Sequence, residues 1–213
     1  MFVKVFLILT IVFIYIQIIY HFNISNDNNI FLLNDVSRTS LHKNIYNKLP
    51  FYFNGITIPS CLKMNEYIEK TDHFTKVYES MQLLEPYVKY YPSHKIYKLK
   101  ENKHIALMSN LECRNFYKIS KGKVDIYLIH PKYSTLFKKQ HDKYITNKKI
   151  IEFIKSNTSF IQLTLYKDSI LFLPNYWLIF IVSIESSVVE LIQYATFMNK
   201  GCYLYEAIQN RYL

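Results

Sequence analysis

Glycine and cysteine are both scarce in this 213-residue chain, which contains three of each. With so few glycines the chain has little material for a phosphate-binding loop, and neither a P-loop nor a G-x-G-x-x-G motif occurs. The cysteines, Cys61, Cys113 and Cys202, lie far apart and form no C-x-x-C pair, which argues against a disulfide framework and a zinc ribbon. We interpret them as small buried hydrophobic residues.

Arginine is also rare, since Arg38, Arg114 and Arg211 are the only three among 26 basic residues. The formal net charge is +10, but the basic residues are mostly lysine and the composition is the one that AT-rich codons produce. The charge is therefore weak evidence for nucleic-acid binding. The basic stretch 132–149 keeps a nucleic-acid or anionic-lipid surface binder as an alternative, although nucleic acid is not the partner that we expect.

The first twenty residues form a long hydrophobic run in which Lys4 is the only charge. Twenty helical residues span about 30 Å, the thickness of the hydrocarbon core of a bilayer. A cleavage site with small residues does not follow the run, as it would in a secreted protein. The run predicts an uncleaved transmembrane signal anchor over 1–20, with membrane lipid as its partner and a single-pass membrane location. A cleaved signal peptide and a buried core segment are the alternatives.

The remaining chain divides into a polar, Asn- and Ser-rich stretch over 21–48, which predicts a stalk, and a folded domain over 49–213. Half of the chain is hydrophobic and 17% is aromatic, which excludes a disordered chain. Apolar spacing over 62–84 predicts one or two N-terminal helices, and a short C-terminal helix follows Gly201. From residue 94 onward, short strand-like runs alternate with turns, with a long loop or lid over 132–149. This pattern is typical of a sandwich, jelly roll or barrel.

Two segments resemble the cupin-like, JmjC-type domain of iron- and 2-oxoglutarate-dependent hydroxylases. Residues 115–131 have an Asn, a short strand, Gly122 and a second strand ending at Pro131, and residues 168–177 read DSILFLPNYW. The second segment is similar to the family's strand with a Pro-x-x-Trp sequence, carried here by Pro174 and Trp177. The resemblance implies a mainly β protein with flanking helices, a double-stranded β-helix (the cupin or jelly-roll fold) in addition to the N-terminal transmembrane helix.

The resemblance also indicates where the iron ligands of this family would lie. The two histidines and the carboxylate fall on Ser109, Leu111 and Ile179, and none of these residues is an ordinary iron ligand. The lysine that holds 2-oxoglutarate in the family falls on Val124. We therefore predict no catalytic residues, no metal and no cofactor.

The scaffold residues of the family are retained, and Asn115, Tyr176 and Trp177 are candidates for a vestigial pocket. Because Trp177 follows an apolar strand, we expect its ring to be buried. The sequence favours a membrane-anchored, catalytically inactive binding or structural module with an unknown protein partner. An active hydroxylase with a non-standard metal set, drawn from residues such as His104 or His130, is the alternative. The AT-rich composition, small size and degenerate motif resemble proteins of large DNA viruses.

Overall fold

The computed structural model describes residues 2–34, 38–54, 91–138, 147–196, 198–199 and 201, which form two packed β-sheets with flanking helices. The strands are β1 (Phe31–Leu32), β2 (Phe51–Asn54), β3 (Tyr91–Leu99), β4 (His104–Ser109), β5 (Arg114–Lys121), β6 (Lys123–Ile129), β7 (Phe160–Tyr166), β8 (Ser169–Pro174), β9 (Leu178–Ser183) and β10 (Ser187–Ala195). The helices are α1 (Phe2–Phe22), α2 (Arg38–Tyr46), α3 (Ser134–Lys138) and α4 (Asn147–Asn157), with a 3-10 turn at Pro131–Tyr133.

The strand order is that of a jelly roll. The first sheet has the order β1-β2-β8-β5-β10-β3 and the second has the order β4-β9-β6-β7. The pair β1–β2 is parallel and the other neighbours are antiparallel. Strands β3 to β10 thus form two four-stranded layers, β8-β5-β10-β3 against β4-β9-β6-β7, as in an eight-stranded jelly roll. The predicted mainly β fold with flanking helices is confirmed.

Alternating side chains of both sheets fill the space between them. On β6, Val124, Ile126 and Leu128 point into this interior, while Tyr127 and Ile129 lie on the outer face. This alternation follows from the two-residue period of a strand. The interior cluster is apolar apart from the Tyr117 hydroxyl and the Trp177 ring N–H, and it consists of Ile105, Tyr117, Ile119, Val124, Ile126, Leu128, Leu165, Leu171, Leu173, Trp177, Ile179, Ile181, Val189 and Leu191. Burial of each large aliphatic side chain stabilises the fold by about 1.5–3 kcal/mol.

Short helices cover the outer faces of the two sheets. Leu41 and Ile45 of α2 pack against Phe116 and Phe172 on the first sheet. On the second sheet, α4 presents an apolar stripe that includes the fully buried Ile154, which packs with outward-facing residues of β6 and β9. The prediction of a loop over 132–149 is therefore wrong at α3 and at the start of α4. These helices bury apolar side chains such as Phe137 and Ile154 against the outer face of the second sheet. Residues 139–146 lie outside the described residues.

The N-terminal helix α1 has 21 residues, and its large apolar side chains are exposed along its length. Among the residues that the structure describes, no helix combines the length and the hydropathy that crossing a membrane requires. The single-pass transmembrane helix stays a prediction from the sequence. Within the predicted stalk, β1 pairs with β2 and α2 packs on the first sheet. The predicted helices over 62–84 and after Gly201 lie outside the described residues, apart from Gly201 itself.

Candidate functional site

The three positions that correspond to iron ligands lie at one end of the jelly roll, which we call the mouth. Here β4 ends beside the start of β9, with Met108 opposite Ile179 and Ser109 opposite Leu178. Ile179 is fully buried in the interior cluster, and Met108 packs against that cluster, whereas Ser109 is exposed. Leu111 is half-buried in the following loop. The structure brings the end of β4 beside the start of β9. The side chains that point into the interior at this end, Met108 and Ile179, are apolar.

No other set of ligands replaces them in the part of the chain that the structure describes. These residues include no group of three His, Cys, Asp or Glu side chains able to hold a metal ion. The His104 ring packs on Phe180, which belongs to the outer face of the second sheet. Both ring nitrogens of His130 are engaged, because Nδ1 accepts from the Lys132 N–H at 3.2 Å and Nε2 lies 2.9 Å from the Ser25 carbonyl oxygen. The described residues at the family's ligand positions do not fit an iron centre.

A polar cluster lies at the mouth, above the apolar interior. The Gln193 amide donates to Glu112 Oε2 at 2.5 Å and to Asn115 Oδ1 at 2.9 Å. The Asn115 amide in turn donates to the main-chain oxygens of Glu112 at 3.0 Å and Leu173 at 3.2 Å. With both amide hydrogens of Gln193 used, its buried Oε1 has no hydrogen-bond partner. We call Glu112, Asn115 and Gln193 the mouth cluster.

Two tyrosines border the mouth cluster and remain protonated. The Tyr117 hydroxyl donates to Asn110 Oδ1 at 2.5 Å, and the Asn110 amide donates to the Trp177 carbonyl oxygen at 3.1 Å. Burial raises the pKa of Tyr117 far above its usual range, and burial together with the Glu112 charge raises the pKa of Tyr97. Neutral phenols and amides form hydrogen bonds but do not exchange protons near neutral pH. The two tyrosines and the amides therefore act here as hydrogen-bonding groups.

The candidate pocket residues Asn115, Tyr176 and Trp177 lie at the mouth end of the strands, and the vestigial pocket stays a prediction. Asn115 is buried in the mouth cluster, and Trp177 is buried in the interior cluster with its ring 5.3 Å from that of His130. The burial of Trp177 confirms the expectation from the sequence. Tyr176 lies in the turn between β8 and β9, and its ring stacks on Phe22 at the end of α1 with centroids 6.3 Å apart.

The junction between α1 and the jelly roll is a second polar feature, which the sequence reasoning missed. Lys48 is buried, and its Nζ donates to the main-chain oxygens of His21 at 3.0 Å and Asn23 at 2.7 Å. The Asn175 amide also donates to the His21 oxygen, at 2.8 Å. These donors satisfy carbonyl groups at the end of α1 that have no partner within the helix. We call Lys48, Asn175 and Tyr176 the helix junction.

The helix junction predicts a specific dependence of stability on pH. Burial lowers the pKa of Lys48 to about 8; the nearby Cys113 opposes this and the Arg114 charge adds to it. Between about pH 8 and the ordinary lysine value near 10.4, the unfolded chain holds a proton that the folded chain has released, so stability rises with pH in this window. We expect the stability of the full chain, relative to Lys48→Met, to rise between pH 8 and 10 and to be constant below pH 8. Urea unfolding of both proteins in detergent at pH 6 to 10 measures this difference, and a flat difference throughout contradicts the assigned burial.

Comparison with known proteins finds similarity in structure but no match in sequence. No protein-family model matches the sequence, and no curated protein matches it. Among solved structures, the chain is similar to a cupin superfamily protein from Desulfitobacterium hafniense, with 10% sequence identity and a TM-score of 0.32. The match covers 54% of this chain and 74% of that protein. The jelly-roll architecture therefore rests on the strand order and register described above.

Proposed function

We propose that this protein is a membrane-attached binding or structural module, built on a cupin-like, JmjC-like jelly roll that has no iron centre. One observation carries the proposal. At the mouth, where the family resemblance places the iron ligands, the interior is occupied by Ile179 and Met108, which have no imidazole or carboxylate donor. Transfer of Fe²⁺ from water to such a site has no compensating anionic ligand. The module would act by binding and not by oxygen chemistry.

The mouth cluster supports a binding role. It consists of a carboxylate and two amides at one end of the jelly roll. Asn115 and Gln193 are buried, whereas Glu112 is partly exposed and presents a carboxylate that can accept hydrogen bonds from another chain. We propose a protein partner that contacts this end.

The attachment to a membrane is supported by the surface of α1. Phe2, Phe6 and Leu9 are 87%, 71% and 62% exposed, and apolar side chains surround the helix on all sides. An exposed apolar surface of this extent on a soluble domain is unfavourable in water, and insertion into lipid removes it. The helix is thus proposed to hold the jelly roll at a bilayer.

Vesicle flotation and alkaline carbonate extraction test the attachment. We expect the full chain to float with phosphatidylcholine–phosphatidylglycerol vesicles and to resist carbonate, because α1 inserts its apolar surface. A matched form lacking residues 1–20 keeps His21 and the whole helix junction, and we expect it to remain in the aqueous fraction. Flotation of this shortened form at the level of the full chain, or failure of the full chain to float, would contradict attachment through α1.

A further inference from the structure

The end of α1 is fixed to the mouth of the jelly roll. The His21 main-chain oxygen accepts hydrogen bonds from Lys48 and Asn175, and the rings of His21 and Phe22 contact the Tyr176 ring. Asn175 and Tyr176 form the turn from β8 to β9, next to the β4 end. The Tyr176 N–H donates to the Asn110 oxygen at 2.5 Å, which joins the helix junction to the mouth directly.

The chain that leaves α1 also remains at the mouth. The Ser25 main-chain oxygen lies 2.9 Å from Nε2 of His130, just after β6. The Asn28 amide donates at 3.3 Å to Ser159 Oγ, just before β7. Ile30 then packs against the interior cluster. Residues 23–30 therefore cross the mouth, so α1 is joined to this end by a packed segment and not by an extended linker.

The exposure of α1 shows that it does not run back along the sides of the sheets. Its large apolar side chains from Phe2 to Ile19 are exposed, and within the described part of the chain its last turn, with His21 and Phe22, contacts the jelly roll. A helix that is held only at one end and packs on neither sheet projects away from the end that holds it. The opposite end of the jelly roll, which we call the far end, carries the turns at 100–103, 121–123, 167–168 and 184–186.

We propose that the mouth of the jelly roll faces the membrane and that the far end faces away from it. The proposal rests on the attachment through α1 proposed above. Strands of six to nine residues separate the two ends, which corresponds to about 20–30 Å at 3.3 Å per residue. The mouth cluster then lies close to the bilayer surface.

Fluorescence quenching at single cysteines tests this orientation in the full chain. The background protein has its three native cysteines replaced, Cys61→Ser, Cys113→Ser and Cys202→Ser; the serine at 113 retains a donor for the Tyr194 oxygen that the thiol contacts. Ser109→Cys places a fluorophore at an exposed site of the mouth, and Glu185→Cys places one at an exposed site of the far end. The probe is a phosphatidylcholine–phosphatidylglycerol vesicle that contains lipid with a spin label on its headgroup.

We expect several-fold stronger quenching at position 109 than at position 185, since the spin label reaches only groups near the surface. Lys132→Cys and Lys167→Cys, exposed at the mouth and the far end respectively, provide an independent pair. Equal quenching at both ends, or stronger quenching at the far end, overturns the orientation while flotation still shows that α1 attaches the protein. If the labelled chain does not float, both the attachment and the orientation are wrong.

A double variant in which the contacts of the helix junction are removed is the matched comparison for the unchanged junction. Lys48→Met removes the donor to His21 and Asn23, and Tyr176→Gly removes the ring while relieving a positive φ of 69°. We expect the double variant to float as before and to show a smaller difference between positions 109 and 185, since Asn175 and the contact of Ser25 with His130 still hold the chain at the mouth. Retention of the full difference would show that the helix junction does not set the orientation. Circular dichroism confirms that the variant is folded.

Discussion

Substitution of Ile179 by histidine is expected to lower the free energy of unfolding by about 4 kcal/mol or more. Loss of a fully buried aliphatic side chain costs about 2–5 kcal/mol, and a buried imidazole without a partner adds about 1–3 kcal/mol. For a chain of this length 1 kcal/mol corresponds to about 2–4 °C, so the melting temperature falls by roughly 8–16 °C. Although Ile179→His restores the histidine implied by the family resemblance, we expect Mn²⁺ to recover none of this loss.

The absence of rescue follows from the neighbours of Ile179. Met108 lies opposite it, and Asn110 Oδ1 already accepts from the Tyr117 hydroxyl. Thermal unfolding of Ile179→His with chelator and with Mn²⁺ measures the effect, and Ile179→Val, which removes one methylene group, serves as the control with an expected loss of about 1 kcal/mol. Recovery of stability by Mn²⁺ in the histidine variant would show that two further metal ligands face this position, and it would contradict the expectation.

Substitution of Gly122 by alanine is expected to destabilise the protein by about 3 kcal/mol or more. Gly122 joins β5 to β6 with a φ of 82°, a left-handed conformation that costs a non-glycine residue about 1–2 kcal/mol. A Cβ at this position also lies 2.6 Å from the Ser186 main-chain oxygen and 2.8 Å from Ser187 Cα. These are backbone atoms, and Ser187 Oγ is held by the main chain of Lys123, so the turn cannot relax without breaking its hydrogen bonds.

Gly201→Ala is the matched control for this turn. A Cβ at Gly201 meets nothing within 4 Å, so we expect a change within about 0.5 kcal/mol, as for most surface substitutions. Denaturant unfolding of both variants gives the comparison. A Gly122→Ala protein as stable as Gly201→Ala would mean that the approach of Gly122 to the turn before β10 is not present in solution.

Much of the β-structure could be predicted from the sequence, because its strands alternate regularly. On β6 the inward and outward residues follow the two-residue period throughout. The sequence does not indicate β4, since a register irregularity between Ile105 and Met108 interrupts the alternation that identifies a strand. The many charges of the stretch 132–149 predict a loop, whereas α3 and the start of α4 lie within it.

Less of the candidate site could be predicted from the sequence, because residues that are in contact at the site are far apart in the chain. Gln193 lies 78 residues from Asn115, and only the pairing of β10 with β5 brings their side chains together. The motif count placed a ligand position on Ser109, but the strand turns this side chain to solvent while Met108 packs against the interior. Lys48 carried no signal of its own, since a single lysine in a lysine-rich chain is ordinarily a solvated residue.

Thermal unfolding of the full chain with and without metal tests the central claim, that the jelly roll has no iron centre, most directly. Trp177, the single tryptophan, is buried and reports the transition by its fluorescence. A ligand that binds only the folded state must raise its stability. We therefore expect the same melting temperature with chelator, with Fe²⁺ under anaerobic conditions and with Mn²⁺. A saturable rise of several degrees with Mn²⁺ that is abolished by His104→Ala or His130→Ala would contradict the claim and would indicate an active metal centre.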